Sequence, residues 1–228
     1  MKQIDTYITE KLKLNRDSNT KYNYHPEDKK ELVSIINKLL KERGSDADLN
    51  DIDVSKITDM SVLFFDSEIR NIDISEWDVS NVTNMDSMFC YCPKFNCNLS
   101  NWNVSNVKNM PLMFKECSEF NSDLSSWNVS NVKDMEWMFN GCKKFNSDLS
   151  KWDVSRVVTM NQMFYNCYKF NSDLSKWDVS NVKEMKYMFL NCGKFNSDLS
   201  NWNVSNVRNM KDMFDGCKNI NIPDWYGK

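Results

Sequence analysis

Two hydrophobic rhythms follow one another along most of this chain, and together they recur every 25 residues. In the stretch that begins at Leu99 the apolar positions are Leu99, Trp102 and Val104, then Val107, Met110, Met113, Phe114 and Cys117, then Phe120. The Trp-x-Val alternation suits a short strand with one face inward. The later steps of three, three, one and three suit the stripe of an amphipathic helix. Ser105 or Asn106 stands just before that stripe, where a side-chain oxygen can cap a first helical turn. Phe120 and Asn121 close a return loop.

Tryptophan marks the period at Trp77, Trp102, Trp127, Trp152, Trp177 and Trp202. Units starting at Leu49, Ile74, Leu99, Leu124, Leu149, Leu174 and Leu199 make seven. The first is degenerate, with Ile52 for tryptophan, Leu63 for a methionine and Ser67 for cysteine, as terminal units often are. One strand and one short helix in 25 residues is leucine-rich-repeat arithmetic. Residues 49–223 therefore predict an α/β solenoid, a leucine-rich-repeat-like stack of seven strand–helix units. At about 4.8 Å per strand the stack is roughly 30 Å long.

Residues 1–48 lack the repeat and predict an N-terminal helical cap. HPEDKKELVSIINKLLKERG has proline near a helix start, acidic residues early, basic residues late and Gly44 as a stop, with Leu32, Ile35, Ile36, Leu39 and Leu40 on one face. A shorter helix is predicted over residues 4–14. Residues 224–228 form a C-terminal cap tail, with Trp225 and Tyr226 folding over the last unit.

The repeat is also familiar. Residues 49–223 resemble the BspA-like leucine-rich-repeat proteins, whose units carry W-[DN]-V-S-N-V-x-x-M-x-x-M-F. Here that reads WDVSNVTNMDSMF at 77–89 and WDVSNVKEMKYMF at 177–189. The resemblance implies a leucine-rich-repeat-like solenoid with a binding role. Many relatives look like bacterial surface adhesins with a leader and an anchor. Compact relatives without leaders look like intracellular effectors, of the kind carried by phages or mobile elements.

Composition narrows the classes. The net charge is −3 and is spread along the chain, so no basic block advertises phosphate. No run reaches membrane-spanning length, and the N-terminus MKQIDTYITEKLKLNRD lacks a signal peptide's apolar stretch, so a cytoplasmic, monomeric protein is expected. Six of the eight cysteines, Cys92, Cys117, Cys142, Cys167, Cys192 and Cys217, recur once per unit, which predicts a buried thiol ladder rather than disulfides. Only His25 could serve as a histidine ligand or base, and Cys90, Cys92 and Cys97 lack a fourth ligand, so neither a metal site nor a catalytic triad is expected. No phosphate-binding glycine loop occurs, and no cofactor is expected. The in-register row Asp78, Asn103, Asn128, Asp153, Asp178 and Asn203 predicts polar side chains hydrogen-bonded along the stack. Lys108, Lys133, Lys183 and Arg208 form a basic row that Thr83 and Val158 interrupt, which argues against direct nucleic-acid binding outside a ribonucleoprotein target.

Function should lie where units differ. On the helix side one position runs Ser87, Leu112, Trp137, Gln162, Tyr187, Asp212, and another runs Cys90, Lys115, Asn140, Tyr165, Leu190, Asp215. Leu112, Trp137, Tyr165, Tyr187 and Leu190 gather in the middle units as a candidate protein-binding patch. The alternative is a concave, strand-side surface with Lys151, Asp153, Lys176 and Asp178. The reading is a non-catalytic protein-binding solenoid, an effector or inhibitor that occupies its target's surface, with a surface adhesin as the alternative.

Overall fold

Nine inward apolar side chains in each 25-residue unit can be covered only by the units on either side, so the chain coils and stacks. The computed structural model describes residues 21–227. Successive coils meet in parallel register along the column Asp59, Asn84, Asn109, Asp134, Thr159, Glu184 and Asn209, each residue bridged to the next. The helix expected over residues 4–14 lies outside the described residues.

The coils are not strand–helix units, and the α/β solenoid expected from the periodicity is corrected here. Among the described residues the one helix is α1 (Lys29–Arg43), and the ladders are isolated bridges rather than a sheet. The Leu-x-x-Trp-x-Val segment, assigned above to a strand, forms two turns, closed by Trp102 N–H to the Leu99 carbonyl (3.1 Å) and Val107 N–H to the Val104 carbonyl (2.9 Å). The bridged column falls instead where the helix was expected to begin.

The coil around Met135–Cys142 shows what replaces the helix. Met138, Asn140 and Cys142 donate to the carbonyls of Met135, Trp137 and Phe139, three residues back, at 3.3, 3.1 and 2.9 Å. Trp137 (φ 59°) and Gly141 (φ 77°) are left-handed at the third position of the first and last of these turns, which makes them type II. The N–H groups between, of Met135, Trp137, Phe139 and Gly141, point forward to Thr159, Asn161, Met163 and Tyr165 of the next coil at 2.8–3.2 Å. Glu136 donates to the Asp134 carboxylate at 2.9 Å, so every N–H from Met135 to Cys142 is satisfied. Consecutive turns step inward every three residues, which mimics a helical stripe.

Spacing is the physical reason. Phe64, Phe89, Phe114, Phe139, Phe164, Phe189 and Phe214 stack nearly parallel at 5.4–5.9 Å. Helices packed side by side need about 8–10 Å between axes. Turns fit the closer pitch.

Two other ladders satisfy carbonyls as well as filling space. Each repeat tryptophan donates Nε1–H to the carbonyl 28 residues back, as in Trp127 to Leu99 and Trp152 to Leu124, both 3.0 Å. Each repeat cysteine donates its thiol to the preceding coil's phenylalanine carbonyl, as in Cys142 to Phe114 and Cys167 to Phe139, both 3.0 Å. All eight cysteines are free thiols.

At the N-terminal end α1 begins at Asp28, whose carboxylate accepts the Glu31 N–H (2.8 Å), and stops at Gly44 (φ 85°). Its buried face, Leu32, Ile35, Ile36 and Leu39, joins the core. Arg43 grips Asp51 with two bonds of 2.9 and 2.8 Å, and Lys29 reaches Asp59 and Ser61 at 3.0 and 2.6 Å. At the other end Trp225 stands in for the next repeat tryptophan. Its Nε1–H donates to the Leu199 carbonyl (2.9 Å) and its ring stacks 6.3 Å from Trp202. Tyr226 accepts the Met213 N–H through its hydroxyl (3.1 Å), while Val204, Val207 and Met210 stay half-buried.

These donors give a direct test. Trp152→Phe keeps an aromatic in the ladder but strands the buried Leu124 carbonyl, so urea denaturation should show a loss of about 1–3 kcal/mol. An unchanged midpoint would mean that the ladder is held by stacking alone.

Candidate binding surface

In each coil the turn segment sends Met, Phe and Cys inward and leaves four positions between them, as at Pro111, Leu112, Lys115 and Glu116. Each column rises one coil at a time. The Leu112 column holds Val62, Ser87, Leu112, Trp137, Gln162, Tyr187 and Asp212, all left-handed with φ between 49° and 59°. The left-handed region favours glycine, and a side chain held there costs roughly 1–2 kcal/mol. Yet none of the seven is glycine, and Val62 is β-branched, where the conformation is a true outlier.

Of the five residues expected in the patch, Leu112, Trp137 and Tyr187 share this column, and Tyr165 and Leu190 share the next. All five are half-buried rather than fully exposed. Lys115 lies over the Trp137 ring at 4.3 Å and the Tyr91 ring at 5.0 Å, and Trp137 donates its indole N–H to Glu136 at 2.9 Å. Lys186 covers Tyr187 at 4.6 Å. Aromatic faces under lysine stems keep their edges outward, and such contacts contribute about 0.5–1 kcal/mol each.

The turn face runs further than the expected patch. Val62, Phe65 and Tyr91 are 53%, 48% and 39% exposed, and Phe65 meets Tyr91 edge-on at 5.8 Å. Treating the first unit as a degenerate end hid Phe65, which occupies the same register as Lys115 and Tyr165. Cys90 and Asn140, in that register too, are buried.

The alternative set lies elsewhere. Lys151, Asp153, Lys176 and Asp178 are exposed, but the lysines stand on turns and the aspartates on irregular backbone, none on a strand. Asp153 and Asp178 accept the N–H groups of Ser155 and Ser180 at 3.0 Å, within their own coil. The polar row expected to bond along the stack instead folds back two residues, an Asx-turn. The serine hydroxyls and amides hold both carboxyls below the usual range. Bonds along the stack come from a different column: Asn106, Asn131, Asn181 and Asn206 donate to serine carbonyls of the preceding coil at 2.7–2.8 Å.

Among the described residues no three His, Cys, Asp or Glu side chains converge to hold a metal ion. Burial pushes the thiols up, Cys92 to about 12 and Cys90, Cys97 and Cys217 to about 11, so thiolate is scarce at neutral pH. His25 sits 3.3 Å from Asp53 beside α1. Lys108, Lys133, Lys183 and Arg208 are exposed, and their backbone N–H groups join each coil to the one before.

A family profile described as "Mycoplasma protein of unknown function, DUF285" matches residues 34–149 and 122–225. The chain belongs to the DUF285 family. Its two matched segments overlap, as a run of repeats allows, and together take in the later part of α1 and the coils. No curated protein matches this DUF285 chain. Among its described residues no helix is long and apolar enough to cross a membrane.

Two stability measurements follow from the turn face and the column beside it. Val62→Gly should raise stability by about 1 kcal/mol, because the side chain is exposed and its removal relieves the left-handed strain. Asp134 is raised above its ordinary range by burial, which outweighs the opposing bond from the Glu136 N–H, and the Glu136 and Asp86 charges add to the rise. Its protonated form is therefore favoured by folding, and its contribution is lost as pH rises through the folded value. Asp134→Asn, the residue found at positions 84, 109 and 209 of the same column, should raise the melting temperature at neutral pH. The gain should vanish below the usual carboxylate range, where Asp134 is protonated in both states.

Proposed function

We propose that this chain is a non-catalytic scaffold that binds another protein through its turn face and acts by occupying that protein's surface. One observation carries the reading. The Leu112 column of the turn face holds Val, Leu, Trp, Gln and Tyr in a backbone conformation that glycine or asparagine would adopt at lower cost. Stacking the coils does not require those side chains, since Met, Phe and Cys fill the core. A cost repeated from coil to coil and unrelated to packing points to selection for contact with something outside the chain. Tryptophan and tyrosine are also the types enriched in binding hot spots. The resemblance to BspA-like proteins supports a binding role. Free thiols throughout suit a reducing compartment, which supports a cytoplasmic location.

Parallel affinity captures from the native host would use the wild-type chain, Trp137→Ala and Tyr187→Ala as baits. A partner retained by the wild type should be lost or weakened with both variants, by ~2 kcal/mol or more when titrated by calorimetry. Melting temperatures should change little, because both side chains are half-buried surface groups. Lys151→Glu combined with Lys176→Glu should bind as the wild type does. Binding lost in the lysine pair and kept in Trp137→Ala would move the interface off the turn face and overturn the assignment.

A further inference from the structure

The return loops between the cysteine and the second phenylalanine of each coil present a different surface. Two of its cations in the first half of the stack are paired: Lys94 meets Glu68 at 2.7 Å, and Lys144 is ion-paired with Glu119. Other lysines of this surface are not. Lys143, Lys169, Lys194 and Lys218, on four successive coils, have no ion pair among the described residues. At about 4.8 Å per coil they spread over roughly 15 Å, and like charges stacked in this way repel. Nothing in the coil packing requires them.

Among these lysines sits Gly193. Its φ is not positive, and a Cβ built there would meet nothing within 4 Å, so neither backbone nor packing asks for glycine. Gly193 lines a notch of about 550 Å³. Tyr168, one coil earlier in the same register and 44% exposed, lines it, and so does Lys218, one coil later. Lys194 and Asn219 complete the rim. Asn219 is pinned by its Nδ2 bond to the Gly193 carbonyl (2.8 Å), which fixes the floor.

We propose that this notch binds single-stranded nucleic acid, one base entering against Tyr168 while successive phosphates lie on Lys169, Lys194 and Lys218. An exposed aromatic ring beside a track of unpaired cations is how sequence-tolerant single-strand binding is built. An acidic peptide would use the lysines but has no call for a glycine-floored recess next to a tyrosine. The chain's net charge of −3 makes the cationic track a local feature, so the affinity is modest and salt-dependent. This surface is separate from the turn face and does not rest on the protein-binding reading.

The probes are fluorescein-labelled eight-nucleotide oligouridylate and oligothymidylate, read by anisotropy with the full chain. The wild type should bind one or both in 50 mM salt, with a log–log salt slope of about −2, the value for three phosphates on a single strand. Gly193→Gln, which puts a side chain into the notch at an unstrained position, and Tyr168→Ala should each weaken binding about tenfold. Lys169→Gln and Lys194→Gln should each make the slope shallower by about 0.7. Circular-dichroism melts of every variant should match the wild type, and Trp137→Ala should bind the probes unchanged. Absence of salt-dependent binding by the wild type would overturn the proposal, as would indifference to Gly193→Gln and Tyr168→Ala. Equal competition by a glutamate decapeptide would also overturn it, in favour of an acidic protein surface.

Discussion

Backbone hydrogen bonds handed from one coil to the next, at a pitch close enough for phenylalanine rings to stack, set the terms for the rest of the structure. At 5.4–5.9 Å between rings there is no room for helices, so the chain meets the pitch with consecutive turns. Those turns divide the N–H groups between their own coil and the next. What the backbone leaves unmet, side chains supply: an indole N–H or a thiol reaches a carbonyl of the preceding coil in every full repeat. Tryptophan and cysteine at these positions are donors as much as fillers. Phenylalanine or alanine would occupy the space and leave a buried carbonyl without a partner.

The apolar skeleton was legible in the sequence because burial depends on which residues face inward, and that survives a wrong secondary-structure assignment. Val107, Met110, Met113, Phe114 and Cys117 are all buried, as a helical stripe would make them. Overlapping turns share the three-residue step, so periodicity alone does not separate the two. The distinguishing signal is left-handed backbone at Leu112 and Glu116, which non-glycine residues conceal. Pro111 was a hint, since proline favours the second position of a type II turn. Helix α1 was readable for the opposite reason. Asp28 and Gly44 mark its ends by local chemistry that no neighbouring coil overrides.

Surface legibility followed the same division. Register placed Leu112, Trp137 and Tyr187 in one column whether the segment is helix or turn. Exposure was another matter, because it depends on how far each turn bulges from its neighbours. Cys90 and Asn140 sank into the coil, while Phe65 and Tyr91 stayed out. The aspartates of the Asp/Asn row looked available for binding and are committed to their own backbone. Their serine partners two residues on, Ser155 and Ser180, were in plain view in the sequence.

The forward-pointing N–H groups of the turn face also have an electrostatic consequence. Along that face the donors of each coil point toward the C-terminal end and the acceptors toward α1, so the peptide dipoles add along the stack axis instead of cancelling as in a sheet. The positive pole lies at the last coil, where Asp212, Phe214 and Gly216 donate to no backbone carbonyl among the described residues. Asp212 and Asp215 stand at that rim, and the Lys29 ammonium rests on Asp59 and Ser61 at the opposite one. Asp212, Asp215 and the Lys29 ammonium match the poles they sit on, as acidic and basic residues do at the two ends of an α-helix, whereas Asp59 and Lys211 stand against theirs. The turn face is thus polarised along its length, and a partner lying across it would meet a field that sets which way round it binds.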